Sequence, residues 1–320
     1  MINQVSIQVG TNTLYMFDSV TINNGLYTIA DTFTFELAGW MTISAGTWCD
    51  ISIDGVRVMR GVMTKSERSK SKTGGHATTV SGIDLCGVLD MCQSQHYHVY
   101  HAEKPADLIT VANDLCEGLE WRKQLSFRID GTPEKKRVKF VVEPGQSIAG
   151  RLADLAAMRG LIMWADPDGT IVFGSVGKKK TLAGTITVGE DLVISYALTE
   201  SIEGGASRVV VIVHNADKTT KASGTVPEFP IDIPAAIVLD SDSETPAPLL
   251  KRKITEVSGK LISGSATMAG LGKFSIGDVI RFVDTSDAVD REFLISDREC
   301  QISKTGGTTT MYTFAAVPQN

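Results

Sequence analysis

The chain has 320 residues, with 37 acidic side chains against 31 Lys and Arg and a formal net charge of -6. That length exceeds what one compact core usually serves, so two or three domains are expected, each with its own apolar interior. The acidic balance argues against a dedicated nucleic-acid binder, which would neutralise phosphates with a basic surface. It also lacks any run near the roughly 18 apolar residues that cross a bilayer.

The amino terminus, "MINQVSIQVG", has neither a basic leader nor an apolar core segment, so a protein made in and soluble in a cytoplasm, with no membrane insertion, is expected. From there to about residue 101, apolar and polar positions alternate in short bursts: "VSIQV", "LYMFDSVTI", "DTFTFELAG", "CDISID", "VRVMRGVMTK" and "HATTVSGIDL". Gly, Asn and Asp turn signals separate them, which predicts an all-β domain over residues 1–101. Asp54-Gly55, between two alternating runs, predicts a hairpin.

"MCQSQHYHVYH", Met91 to His101, closes this region and holds three of the five histidines, so His96, His98 and His101 are the metal-ligand candidates. A strand would put His96 and His98 on one face and His101 on the other, while a helix would pair only His98 with His101. Neither gathers all three, and an exposed strand end or linker is the favoured reading.

Residues 102–175 change pattern. In "EKPADLITVANDLCEGL", Leu108, Val111, Ala112 and Leu115 follow helical spacing, and in "EPGQSIAGRLADLAAMRG" so do Ile148, Leu152, Leu155 and Ala156, with Gly160 as the stop. "LIMWADPDGTIVFG" then predicts a hairpin turning at Asp166 to Gly169. This is a small α/β module. Residues 176–320 return to alternating runs, among them "SRVVVIVH", "GDVIRFVD", "REFLISDREC" and "TTTMYTFAAV", and form a second β domain. Within it, "VPEFPIDIPAAIVLDSDSETPAP" is expected to be an extended surface excursion. Leu250, Ile254, Val257 and Leu261 predict a helix that stops at Gly259, short of Leu261.

The search for chemistry is negative. The five cysteines, Cys49, Cys86, Cys92, Cys116 and Cys300, are scattered, lack a C-x-x-C pair and are expected to be reduced, mostly buried thiols. "GSVGKKKT" fails the phosphate-loop spacing, "DPDGT" fails the calcium-loop spacing, and the acidic run Asp284, Asp287, Asp290 and Glu292 is taken as a solvated loop. "KSERSKSK" (65–72), "KKRVK" (135–139), "KKK" (178–180) and "KRK" (251–253) are taken as solvated loops or helix ends, and the four tryptophans, Trp40, Trp48, Trp121 and Trp164, as structural. No catalytic residue and no cofactor is called for.

The ordered patterns resemble the baseplate hub proteins of contractile phage tails. The Mu-like hub family is the nearest, with kinship to the late control protein of P2-like phages and the amino-terminal part of type VI secretion spike proteins of the VgrG kind. The resemblance rests on "LYMFDSVTINNGLYTIADTFTFEL", "GTWCDISIDGVRVMRGVMTK" and "TTVSGIDLCGVLDMC" in the first domain. It rests too on "FVVEPGQSIAGRLADLAAMRGLIMWADPDGTIVFG" in the module, and on "GKFSIGDVIRFVD" through "REFLISDRECQISKTGGTTTMYTFAAV" at the end. It implies a mainly β, α+β chain in which two β-barrel-like domains flank the module. It also implies a structural protein and not an enzyme: a homotrimeric, pseudo-sixfold ring between the hexameric tail tube and the trimeric central spike. Other baseplate proteins are its neighbours, DNA meets it only in transit, and the virion tail is assembled in the bacterial cytoplasm. A tail-borne peptidoglycan hydrolase and a carbohydrate- or receptor-binding module are the alternatives.

Overall fold

The computed structural model describes residues 3–71, 75–100, 107–130, 140–175, 182–214, 219–226, 229–240 and 246–317. The chain is mainly β. Its first part holds β1 (Val5–Val9), β2 (Asn12–Leu14), β3 (Ser19–Gly25), β4 (Thr32–Ala38), β5 (Trp48–Ile53), β6 (Val56–Ser71) and β7 (Gly75–Asp84). A short helix, α1 (Leu85–Met91), follows directly. Alternation buries Phe33, Phe35 and Leu37 of β4 against Ile51 and Ile53 of β5. At the β5–β6 turn, Asp54 and Gly55 both have positive φ (51° and 80°), the conformation a two-residue hairpin of this hand requires.

The middle part contains β8 (His98–Tyr100), α2 (Leu108–Cys116), β9 (Ser126–Asp130), β10 (Phe140–Val142), α3 (Ile148–Ala157), β11 (Ile162–Ala165) and β12 (Thr170–Gly174). Asp107 and Ser147 cap α2 and α3 by accepting from the backbone N–H three residues on. The expected apolar faces of both helices are buried, and Gly160, at φ 68°, follows the end of α3. Leu85, Cys86 and Leu89 of α1 belong to this same core. Sequence reasoning missed α1, which has seven residues and a central Gly87, although Asp84 caps it by accepting from the Gly87 N–H at 2.8 Å.

The last part comprises β13 (Gly184–Thr187), β14 (Val193–Glu200), β15 (Arg208–His214), β16 (Thr219–Thr225), β17 (Pro234–Asp240), α4 (Ala247–Leu261), β18 (Ile262–Ala269), β19 (Val279–Asp284), β20 (Val289–Ser303) and β21 (Gly307–Ala316). Two expectations fail here. Seven residues of the proline-rich excursion form β17, which pairs in parallel with β15; its proline begins the strand and leaves the later N–H groups free. Helix α4 also runs through Gly259 to Leu261. A Cβ on Gly259 would stand 2.9 Å from the Ala315 Cβ, so the glycine sets a close approach of helix to β21 and does not end the helix.

Strands of the first and last parts join in one 13-stranded sheet with the path β14-β18-β21-β20-β3-β4-β7-β6-β5-β1-β2, from which β19 branches at β20 and carries β13. No closed barrel forms among the described residues. Within this sheet a five-strand unit occurs twice. The antiparallel pairings of β3 with β4, β4 with β7, β7 with β6 and β6 with β5 recur as β14 with β18, β18 with β21, β21 with β20 and β20 with β19. The match extends to single residues. Ser71 faces Gly75 as Ser303 faces Gly307, and the register slips between Met63 and Lys65 as it does between Ile295 and Asp297.

Loops repeat as well. Gly39 and Gly46 have φ of 100° and 82°, and Gly270 and Gly277 have 91° and 82°. The Thr78 hydroxyl donates to the Gly39 carbonyl at 3.0 Å, and that of Thr310 donates to Gly270 at 3.0 Å. The unit of β15, β16, β17 and α4, with its own small core around Val209, Val211 and Val257, is inserted between the first two strands of the second copy.

Candidate functional site

Of the three clustered histidines, His96 and His98 lie among the described residues. His98 begins β8 opposite Val142, whereas His96 precedes the strand; their ring centroids are 6.5 Å apart. His98 stacks on Tyr100, which stacks in turn on Phe140 beneath the Arg151 guanidinium. His101 lies outside the described residues, and among those described no group of three potential ligands converges.

The acidic run is engaged internally. The Tyr196 hydroxyl on β14 lies against the carboxylates of Asp284 and Asp287, and Arg281 forms a two-pronged pair with Asp290. Hydrogen bonds from the Ser286 hydroxyl and from Tyr196 hold the Asp284 carboxyl down at about 2. In the "DPDGT" turn, Asp166 accepts from the Trp164 indole at 3.0 Å and from Arg128 at 2.8 Å, while Asp168 accepts from the Thr170 N–H. These carboxylates tie the hairpin down. The thiols of Cys49, Cys86, Cys116 and Cys300 are free and buried, and that of Cys92 is half-buried.

Two surface expectations are corrected. "KSERSKSK" is not a loop, since through Ser71 it is the outer half of β6, paired with β7 on one side. Its polarity reflects an open strand edge. Trp40 is not a core residue: it is 56% exposed, edge-on to His76 with the Arg68 guanidinium 5.2 Å from its ring. "KRK" lies on α4, whereas "KKRVK" and "KKK" lie outside the described residues.

Sequence left no trace of the feature at the centre of the molecule. Asp31 and Asp84 are both buried, and they line a cavity of about 180 Å³ with Asn24, Arg60, Trp164 and Arg298, where the first, middle and last parts meet. Asp31 accepts from the Gly25 N–H at 2.9 Å and from the Asn24 amide at 2.7 Å. Burial, and then the nearby Asp31, push the Asp84 carboxyl up to about 8; burial raises Asp31 too, against those two hydrogen bonds. Their oxygens are directed at backbone and amide donors within the fold, so the pair fastens a junction.

What remains open is the sheet. Within the chain, the outer half of β20 pairs antiparallel with β3, from Asp297 opposite Gly25 to Ser303 opposite Ser19, and so joins the two five-strand units. The corresponding stretch of β6, Lys65 to Ser71, has only β7 beside it, and β14 has only β18, among the described residues. Leu192 and Ile194, at and beside the start of β14, are 70% and 59% exposed. Among the described residues, one unit therefore ends with a free β6 edge and the other begins with a free β14 edge.

Residues 4–84, which span β1 to β7, match the family model described as Mu phage baseplate assembly protein GpP-like, N-terminal. The first part of the chain is therefore similar to a Mu phage baseplate GpP-like domain. Solved structures share its fold along nearly the whole length. A tail protein from Neisseria meningitidis MC58 is 21% identical with a TM-score of 0.80, and 98% of this chain and 97% of that one are covered. A tail protein of prophage MuSo2 from Shewanella oneidensis is 19% identical with a TM-score of 0.81, with 98% of each covered. An Escherichia coli component of the type VI secretion system, described as similar to T4 tail proteins gp27 and gp5, is 11% identical with a TM-score of 0.64, covering 98% and 77%. No curated protein sequence matches the chain.

Proposed function

We propose that this chain is a phage baseplate protein of Mu-like type and serves as the hub: a non-enzymatic homotrimer forming a pseudo-sixfold ring between the hexameric tail tube and the trimeric spike, open for DNA to pass. The repeated five-strand unit carries this reading. One chain supplies two copies of the same strand set, joined edge to edge, so three chains supply six, the number needed to change a sixfold partner into a threefold one. On this reading each unit is the core of one barrel-like domain, completed in the ring, and the module between them lies outside the repeat. The surface that meets tube and spike is structural, which accords with carboxylates committed to internal hydrogen bonds.

Light scattering on the purified chain, alone and mixed with its spike partner, tests this. A trimeric mass that persists in the mixture is the expected result; a monomer under both conditions overturns the ring.

A further inference from the structure

The internal junction predicts the external one. We infer that the free β6 edge, Lys65 to Ser71, pairs antiparallel with the free β14 edge of a second copy of this chain, in the register that β20 and β3 already use within one chain. This rests on the ring reading above and adds the residues of its seam.

The β6–β7 and β20–β21 ladders keep one register from the shared shift to the turn, so the partner of each outer β6 residue can be read across. Ser71 takes the place of Ser303, and Lys65 that of Asp297. On the other side, Val20 lies opposite Phe35 and Tyr196 opposite Ala266, which aligns β3 with β14. The contacts of Gln301 with Thr21 and of Glu299 with Asn23 thus become Ser69 with Ala197 and Glu67 with Thr199 between copies.

Exposure marks the same stretch as incomplete. Of β20 residues 297–303, only Gln301 is exposed, because β3 covers them; of β6 residues 65–70, only Ser66 is not. Unpaired N–H and C=O groups along a strand edge invite another strand, and an edge this long is normally shielded or used. The two free edges belong to different ends of the chain, so the contact is head-to-tail and propagates around a ring. Charge favours it: Lys65, Arg68 and Lys70 outnumber Glu67 on the β6 edge, whereas β14 bears Glu200 and is flanked by Glu190, Asp191 and Glu203.

The test uses paired cysteines in the full chain, Ser69→Cys with Ala197→Cys, and separately Glu67→Cys with Thr199→Cys. All four positions are exposed, so both variants are expected to fold. Mild oxidation should give covalent dimers and trimers on non-reducing gels from each double variant. It should give none from the single variants or from the off-register pair Ser69→Cys with Thr199→Cys. Variants that are trimeric by light scattering but do not cross-link in register overturn the seam and leave the ring standing. Variants, and parent chain, that are monomeric overturn both.

Discussion

At the scale of single residues, Asp84 does two jobs that pull against each other. Its carboxyl caps α1 and so anchors Leu85, Cys86 and Leu89 in the core of the middle module, yet burial beside Asp31 disfavours its charge. A carboxyl whose pKa is higher folded than unfolded contributes its full stability while protonated in both states. That contribution is lost as pH rises through the window between the two values. For Asp84 the window runs from 3.8 to about 8. Stability measured by urea unfolding should therefore fall across that range, with a slope approaching about 1.4 kcal/mol per pH unit for one proton. Asp84→Asn should retain the cap through its side-chain oxygen and flatten that part of the slope; an unchanged slope in the variant would refute the assignment. Asp84→Ala, which loses the cap, should cost about 1–2 kcal/mol at pH 3, where the carboxyl is protonated in both states. Neither acid was legible as special beforehand, because two aspartates 53 positions apart leave no pattern until β4 and β7 bring their ends together.

At the scale of elements, the positions where backbones approach closely are the sensitive ones. A Cβ on Gly82 would lie 2.1 Å from the Phe33 ring, and Gly82→Ala should destabilise the first unit by about 1–3 kcal/mol in denaturant unfolding. Gly259→Ala improves helix propensity by about 1 kcal/mol, yet the approach of α4 to Ala315 should make the change net destabilising. A gain in melting temperature would show that α4 has room to move.

The same physics explains what could be read from sequence. Period-two alternation located most strands, and 3.6-residue spacing located α2 and α3, because those signals are local. Gly259 was misread since its reason lies on another element. The outer half of β6 resembled a loop because a strand edge awaiting a partner is polar. Strand β17 was hidden by prolines that lie at its start and beyond its pairing. The repeat surfaces literally only in "SKTGG", at 71–75 and again at 303–307, while the rest of the two units keeps register and loop geometry with different side chains. The site candidates fared differently: His96 and His98 are close without converging, and the two open edges carry no motif.

For the whole molecule, assembly and stability are linked if the ring forms, because a partner that binds only the folded chain adds to its stability by mass action. The melting temperature should rise with protein concentration, and scanning calorimetry over a hundredfold range checks it; a concentration-independent midpoint would mean that folding is complete without neighbours. The two copies of the strand unit also differ in a compensated way. Phe33 lies opposite Gly82 in the first, whereas Gly264 lies opposite Phe314 in the second, so ring and gap have changed sides. Each arrangement fills the same space. Exchange of a single strand between the copies would put two rings where one fits, or none where one is needed. Recombination between the two copies can therefore move these strands only as intact units.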